Sequence, residues 1–287
     1  MNNISILTTK PSKDYELIDS GNGEKLERWG EFILRRPDPQ ALWQKRLSEK
    51  DWNKADAFFD NGVWKTKKDL PDNWHIELNN IKFSIKSGSF KHTGVFPEQS
   101  PNWDWIRDVI KKNERELNVL NLFGYTGGAT LAAAEAGANV THVDASKPSI
   151  ELAKENARIS GLSEKPIRWI VDDARKFVER EIKRGKKYDG IIMDPPAFGR
   201  GPKGEVWKIE DCFLDLFKNC ELILSEKPIF VLINGYAAGY SAISYRNNLE
   251  ELVEKFGGSL EMGELAIEES KSERLLPAGI FARWSSI

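Results

Sequence analysis

The 287-residue chain suits one large domain, or a core domain with a smaller companion. Its 40% hydrophobic and 30% charged residues fit a soluble protein with a proper core, without a transmembrane run, and the start MNNISILTTKPSKDYELIDSG lacks the basic-then-apolar order of a secretory signal. A net charge of −2 argues against a strong non-specific nucleic-acid binder, and Cys212 and Cys220 form neither a disulfide framework nor a zinc site, so a cytoplasmic, reducing setting is expected.

Residues 1–90 read as a small β-rich N-terminal domain. Tyr15 to Asp19 and Leu26 to Arg35, joined through Gly21-Asn22-Gly23, predict a hairpin with a glycine turn. Pro39 to Phe59 has helical spacing with polar breaks, and Trp74 to Leu78 with Ile81 to Ile85 predicts a second hairpin around Asn79-Asn80. Seven of the ten tryptophans fall at or before Trp105. Trp29, Trp43, Trp52, Trp64 and Trp74 either fill the core of this domain or stack unpaired bases. Sixteen Lys and Arg meet fifteen Asp and Glu through residue 100, so no strongly basic surface is expected there. The runs Lys65 to Lys68 and Lys183 to Lys187 read as solvated surface.

From about Pro101 helices and strands alternate. A helix near Trp103 to Glu114 precedes the strand Asn118 to Phe123 and the helix Gly128 to Glu135, with Gly137 placed to end it. Strand Val140 to Asp144 leads to a helix with Ser146 as N-cap and Pro148 in its first turn. Strand Ile167 to Val171, helix Ala174 to Lys183, strand Tyr188 to Met193, helix Ile209 to Leu224, strand Ile229 to Ile233 and helix Tyr245 to Phe256 follow. Ser259 to Glu268 and Gly279 to Trp284 read as two closing strands. The expected α/β fold over residues 91–287 is a Rossmann-like, mostly parallel seven-stranded sheet with an antiparallel edge.

Open α/β sheets bind ligands where strand ends meet loops. After the first strand of the alternating region comes Asn121-Leu122-Phe123-Gly124-Tyr125-Thr126-Gly127-Gly128, either an ordinary tight turn or a close cradle for a ligand. Thr126 occupies the second glycine position of a dinucleotide fingerprint, which disfavours a nicotinamide cofactor. Asp144, followed by Ala145 and Ser146, stands twenty residues beyond Gly124, the spacing of an acid that accepts ribose hydroxyls, or of a surface cap. Asp172, Asp173 and Ala174 follow the third strand. A carboxylate there, preferably Asp173, either accepts from an adenine amine or caps the next helix. After the fourth strand, Asp194-Pro195-Pro196-Ala197-Phe198 combines an acid, two φ-fixing prolines and an aromatic ring suited to a planar substrate.

Together these segments resemble the class I S-adenosylmethionine-dependent methyltransferases, over about two thirds of the chain. The Asp194 to Phe198 form and Thr93-Gly94-Val95-Phe96-Pro97-Glu98-Gln99 are similar to the ribosomal RNA large-subunit methyltransferase I-like and K-like group. The resemblance implies S-adenosyl-L-methionine as cofactor, no metal, and Thr93, Gly94, Phe96 and Gln99 at its methionine end. Glu98 stands where that group has Asp, and Ser100 where it has Arg. Members begin with an RNA-binding PUA domain; here about ninety residues precede Thr93 and read as the group's middle β-domain, so capture by a PUA domain is not expected. The methyltransferase I proteins place a cysteine after the fifth strand, where this chain has Asn234-Gly235-Tyr236, so carbon-5 methylation is not carried over. Cys212 and Cys220 read as buried core residues.

The expected activity is therefore methyl transfer to an RNA base, ribosomal by the resemblance, with Asp194, Pro195, Pro196 and Phe198 at the reacting end. No membrane partner is expected, and a homodimer is compatible with the sequence. The alternatives are a protein or small-molecule substrate for the same site, and a non-catalytic RNA-binding module on the same fold.

Overall fold

The structure, a computed structural model, describes residues 3–85, 93–236 and 239–287. The expected domain boundary between residues 90 and 91 lies outside the described residues. By internal packing the chain forms two compact units, one of Met1–Ile6, Asn102–Glu264 and Gly279–Ile287, the other of Leu7–Pro101 and Leu265–Ala278.

In chain order the elements begin with strand β1 (Ile4–Thr9), β2 (Tyr15–Gly21), β3 (Glu24–Trp29), β4 (Phe32–Pro37), the one-turn helix α1 (Glu49–Trp52), β5 (Ala57–Asp60), β6 (Val63–Thr66), β7 (Trp74–Leu78) and β8 (Ile81–Ile85). A 3-10 turn at Pro97–Gln99 precedes α2 (Ser100–Lys111). The alternating part follows as β9 (Asn118–Leu122), α3 (Gly128–Glu135), β10 (Asn139–Asp144), α4 (Lys147–Ile159), β11 (Ile167–Val171), α5 (Ala174–Lys183) and β12 (Gly190–Met193). The short strands β13 (Phe198–Arg200) and β14 (Val206–Lys208) come next, then α6 (Ile209–Leu222), β15 (Phe230–Gly235), α7 (Ala242–Phe256), β16 (Ser259–Glu268) and β17 (Leu275–Ser285).

In the smaller unit β2 to β6 form one sheet, and β7 with β8 forms a separate hairpin. The β7–β8 turn is as expected: Asn79 and Asn80 both take positive φ, the pairing of a tight hairpin turn. Leu26 to Arg35 is not one strand but two, because Gly30 at φ 64 turns the chain and pairs Trp29 with Phe32. The helical spacing from Pro39 to Phe59 yields only α1 and β5. The backbone before α1 is committed elsewhere. Asn22 N–H donates to the Trp43 carbonyl, Gly23 N–H donates to that of Ala41, and Leu47 N–H donates to the Asp19 carboxylate. Asp19 is buried and also accepts from the Trp52 indole at 2.8 Å. Trp29 and Trp52 are fully buried, so core filling accounts for these two rings.

The large sheet has the order β1-β16-β17-β15-β12-β9-β10-β11. Strands β15, β12, β9, β10 and β11 run parallel, and β17 pairs antiparallel with β15. This is the expected Rossmann-like sheet, with an eighth strand, β1, added at the antiparallel edge. The short alternation Ile4, Ile6 with exposed side chains gave no signal of a core strand. The central strands are apolar runs buried on both faces, as parallel strands between helices must be. Leu120, Leu122, Val143, Ile191, Met193, Val231 and Ile233 pack with Phe177 of α5, Leu216 and Phe217 of α6, and Leu249 of α7.

Removing the Asp19 carboxylate strands the Trp52 indole N–H and the Leu47 amide. Asp19→Ala is expected to destabilise the protein by about 2–3 kcal/mol, read as a lower urea midpoint with unchanged slope; a loss below about 1 kcal/mol would contradict this account.

Candidate functional site

The strand registers bring the expected site residues to one edge. Leu122 pairs with Val143 and with Met193, while Asp144 pairs with Val171. Phe123, Asp144 and Asp194 therefore leave three adjacent strands at one level, and Asp172 follows one residue beyond that level on β11, with strand spacing of about 4.8 Å. Chain order runs outward from β9 to β10 and β11, then returns to β12 on the other side of β9. That reversal opens a crevice beside β9, the usual ligand site of such sheets.

The loop between β9 and α3 is tightly wound. Phe123 and Tyr125 take φ of 57° and 49°, a left-handed conformation that costs non-glycine residues on the order of 1 kcal/mol or more each. Gly127, at φ 93°, leads into α3. Gly124 lies directly on the His142 imidazole: a Cβ there would sit 2.5 Å from a ring carbon. A Cβ on Gly128 would collide with the Trp103 indole. Glycine at both positions lets the loop settle onto these rings. Below the loop, Asn121 is buried and donates to Thr130 Oγ1 at 2.9 Å, and Thr130 Oγ1 meets His142 Nδ1 at 2.9 Å. Burial pushes His142 down to about 3, so the ring is neutral. Thr126 is buried, and its carbonyl accepts from Asn156 of α4.

The Asp144 carboxylate stands at the centre of this edge. Tyr125 N–H donates to one oxygen at 2.9 Å and Ser146 N–H to the other at 2.8 Å. Burial raises its pKa, opposed by these two amides. Each oxygen can accept a further hydrogen bond. Ala145 leads to Ser146, which caps α4 by accepting from Ser149 N–H.

At the next strand end the two acids have different tasks. Asp172 is ion-paired with Arg180 and accepts from the Asp173 amide. Asp173 is buried, caps α5 through Lys176 N–H at 3.1 Å, and is followed by the buried Ala174. Both sequence-level readings of Asp173 are compatible, since the cap uses Oδ1.

At β12, Asp194 is half-buried and desolvation pushes its carboxyl up to about 6. Pro195 is buried, while Pro196, Ala197 and Phe198 are exposed. The Pro196 carbonyl accepts from the Trp207 indole at 2.6 Å, and the Ala197 carbonyl accepts from Ile209 N–H. Trp207 also packs on Phe123, ring centres 4.9 Å apart. Tyr245 of α7 is buried, its hydroxyl against Gly235 and pushed up to about 12 by burial and the neighbouring Asp194.

Trp207, Tyr245, Thr130 and His142 had not been singled out in the sequence. Thr130, His142 and Tyr245 carry no motif, because their roles arise from strand register and helix packing. Trp207 had a signal, a lone tryptophan nine residues after Phe198 in a glycine-rich stretch, but the β13–β14 hairpin that aims it was not expected.

Thr93, Gly94, Phe96 and Gln99 lie in the other compact unit. There Thr93 is buried, Gly94 takes φ 105°, and Gln99 N–H donates to the Phe96 carbonyl in the 3-10 turn. Glu98 is buried in that unit, and desolvation pushes it up to about 7. Cys212 and Cys220 are buried core residues as expected, and burial raises the Cys220 thiol strongly. At the end of β15, Asn234 is buried and accepts from Asn102, which in turn accepts from Arg283. Among the described residues no group of His, Cys, Asp and Glu could hold a metal ion, and no helix is long and apolar enough to cross a membrane.

A family model of S-adenosylmethionine-dependent methyltransferases matches residues 55–259. The solved S-adenosylmethionine-dependent methyltransferase of Agrobacterium tumefaciens is 43% identical, with a TM-score of 0.94 over 99% of this chain and 94% of that one. The ribosomal RNA large subunit methyltransferase I of Tolumonas auensis is 37% identical over 130 residues, 45% of this chain and 32% of that protein. Its counterpart of Aeromonas salmonicida is 33% identical over 124 residues, 43% of this chain and 30% of that protein. The matched part spans about a third of the length of these two relatives.

The contact between Gly124 and His142 leaves no room for a methyl group. Gly124→Ala is expected to force the loop off the ring and lower stability by about 1–3 kcal/mol, measured by urea unfolding; an unchanged midpoint would mean the loop yields freely.

Proposed function

The chain belongs to the S-adenosylmethionine-dependent methyltransferases, and on that premise we propose that it methylates a nitrogen of a ribosomal RNA base in the crevice at the ends of β9, β10, β11 and β12. The observation that carries this reading is the placement of Asp144, the wound loop at Phe123 to Gly127 and the Asp194 to Phe198 segment on adjacent strand ends. The names of the two relatives above support ribosomal RNA as substrate.

S-adenosylmethionine brings an electrophilic sulfonium methyl group, so the protein's task is to position two reactants and exclude water. The residues present fit such a cofactor. Asp144 has one backbone amide on each oxygen and can accept two ribose hydroxyls besides. Asp173 keeps Oδ2 for an adenine amine, whereas Asp172 is committed to Arg180. The glycines at 124, 127 and 128 seat the loop closely on His142, Ala153 and Trp103, with Asn121 supporting it from below.

On the substrate side, Asp194 accepts a hydrogen bond from the attacking amine and aims its lone pair. Pro195 and Pro196 stiffen the loop that carries it, and the exposed Phe198 ring offers a platform for an unstacked base. The thiols of Cys212 and Cys220 belong to the core, which favours a nitrogen over carbon 5 as acceptor.

Isothermal calorimetry is expected to detect S-adenosylhomocysteine binding and no NAD binding. Asp144→Ala should weaken the former by at least about tenfold, the equivalent of one charge-assisted hydrogen bond or more, and Asp194→Ala much less; equal losses would mean the roles are misassigned. The rate of methyl transfer should rise with pH through about 6, because below that value the Asp194 carboxyl is protonated and loses the negative charge that makes it a strong acceptor. Asp194→Asn should flatten this rise; a profile unchanged in the variant would remove Asp194 from the mechanism. Tritiated methyl from the labelled cofactor should enter the ribosomal RNA of a deletion strain, and label confined to protein or small molecules would overturn the choice of substrate.

A further inference from the structure

The β13–β14 hairpin has two unlike faces. Phe198 pairs with Lys208, Gly199 with Trp207, and Arg200 with Val206. Directly paired residues share a face, and neighbours along a strand alternate. Trp207 and Gly199 therefore face inward. Trp207 is buried, tilted against the Phe123 ring and bonded to the Pro196 carbonyl, and Gly199 lies against the Pro196 ring. The outward face carries Phe198, Arg200, Val206 and Lys208, with Phe198 55% and Val206 45% exposed.

The charge of this segment is one-sided. Residues 198–208 hold Arg200, Lys203 and Lys208 against one acid, Glu205. Glu205 is already engaged by Lys176 of α5 at 2.6 Å and by the Lys203 amide at 2.8 Å. Among the described residues, no carboxylate lies within ion-pair distance of Arg200, Lys203 or Lys208. In a chain with net charge −2, three such cations around an exposed aromatic ring form a local exception. Flat rings flanked by cations suit one partner chemistry in particular, unpaired nucleotides, whose bases stack and whose phosphates are anionic.

The hairpin is also held in place. The Arg175 guanidinium of α5 donates to the Val206 carbonyl at 2.9 Å and to Cys212 Sγ of α6. With the Lys176–Glu205 pair and the Trp207 anchor, the outward face stands on fixed supports four residues beyond Asp194. A prearranged platform loses little entropy when a strand docks.

We propose that the outward face of this hairpin, Phe198, Arg200, Val206 and Lys208 with Lys203 at its turn, binds a single-stranded RNA segment next to the methylated nucleotide. Arg200 and Lys208 contact phosphates of the strand that flanks the unstacked base held on Phe198. This rests on the reading of RNA as substrate and adds to it the surface that captures the RNA.

The test uses the full-length protein and a fluorescein-labelled single-stranded RNA of mixed sequence, followed by fluorescence anisotropy over a salt series. S-adenosylhomocysteine affinity is measured in parallel by calorimetry. Arg200→Ala/Lys208→Ala should lower the salt slope by about 1.4, since each single-strand phosphate contact contributes about 0.7. Phe198→Ala should weaken RNA binding by at least about fivefold, the low end of one base stack. In the Arg200→Ala/Lys208→Ala variant the thermal midpoint and the S-adenosylhomocysteine affinity should be unchanged. If the wild-type protein binds the RNA and the variants bind it with equal affinity and slope, the hairpin is not the docking surface, while the RNA reading stands. If a duplex RNA of the same length competes as well as the single strand, the single-strand assignment is overturned. If the wild-type protein binds S-adenosylhomocysteine and no RNA, and labels only protein or small molecules, the substrate reading itself fails.

Discussion

Everything at the candidate site depends on the alignment of parallel strands. Leu122, Val143 and Met193 share one level because β9 hydrogen-bonds in register with β10 on one side and β12 on the other. A slip of one residue would turn each strand's side chains to the opposite face and part the buried Asn121 from Thr130. The apolar core thus fixes the register, and the register fixes where Asp144, Asp173 and Asp194 leave the sheet. The helices then lock the loops: Ser146 caps α4 and Asp173 caps α5, so residues of the candidate site also terminate the framework.

Two acids at this edge differ because their surroundings differ. Asp144 is raised by burial but receives a backbone amide on each oxygen, which favours its ionised form. Asp194 is raised to about 6 by desolvation. A ground-state contact to ribose suits the first, and a group whose charge changes near working pH suits the second. The proposed assignment of holding to one and aiming to the other rests on this difference in environment, since both are aspartates at strand ends.

Much of the larger unit was legible in the sequence because its signals are local. Apolar runs of strand length, Ser146 before Pro148, and acids just past strand ends each report a position without knowledge of the fold. The central strands and helices α3 to α7 accordingly appear within a few residues of their expected places. The misses are non-local. Pro39 to Phe59 had helical spacing, yet its amides and carbonyls serve the β2–β3 turn and Asp19. β1 is short and exposed, and it joins an edge more than 250 residues away in sequence. The β13–β14 hairpin lies in a segment with three glycines and a proline, which reads as loop, and only the inward Trp207 gives it a core. At the site, the carboxylates were visible as residue types, but Thr130 and His142 became recognisable only once β10 lay beside β9 and α3 above it.

The neutral imidazole beneath Gly124 carries a consequence of its own. With His142 held down to about 3, the floor of the crevice gains no proton anywhere near neutral pH. A cationic floor would repel a ligand that itself bears a positive sulfur. Because the His142 ring stays uncharged, acidification through the mildly acid range places no positive charge beneath Gly124.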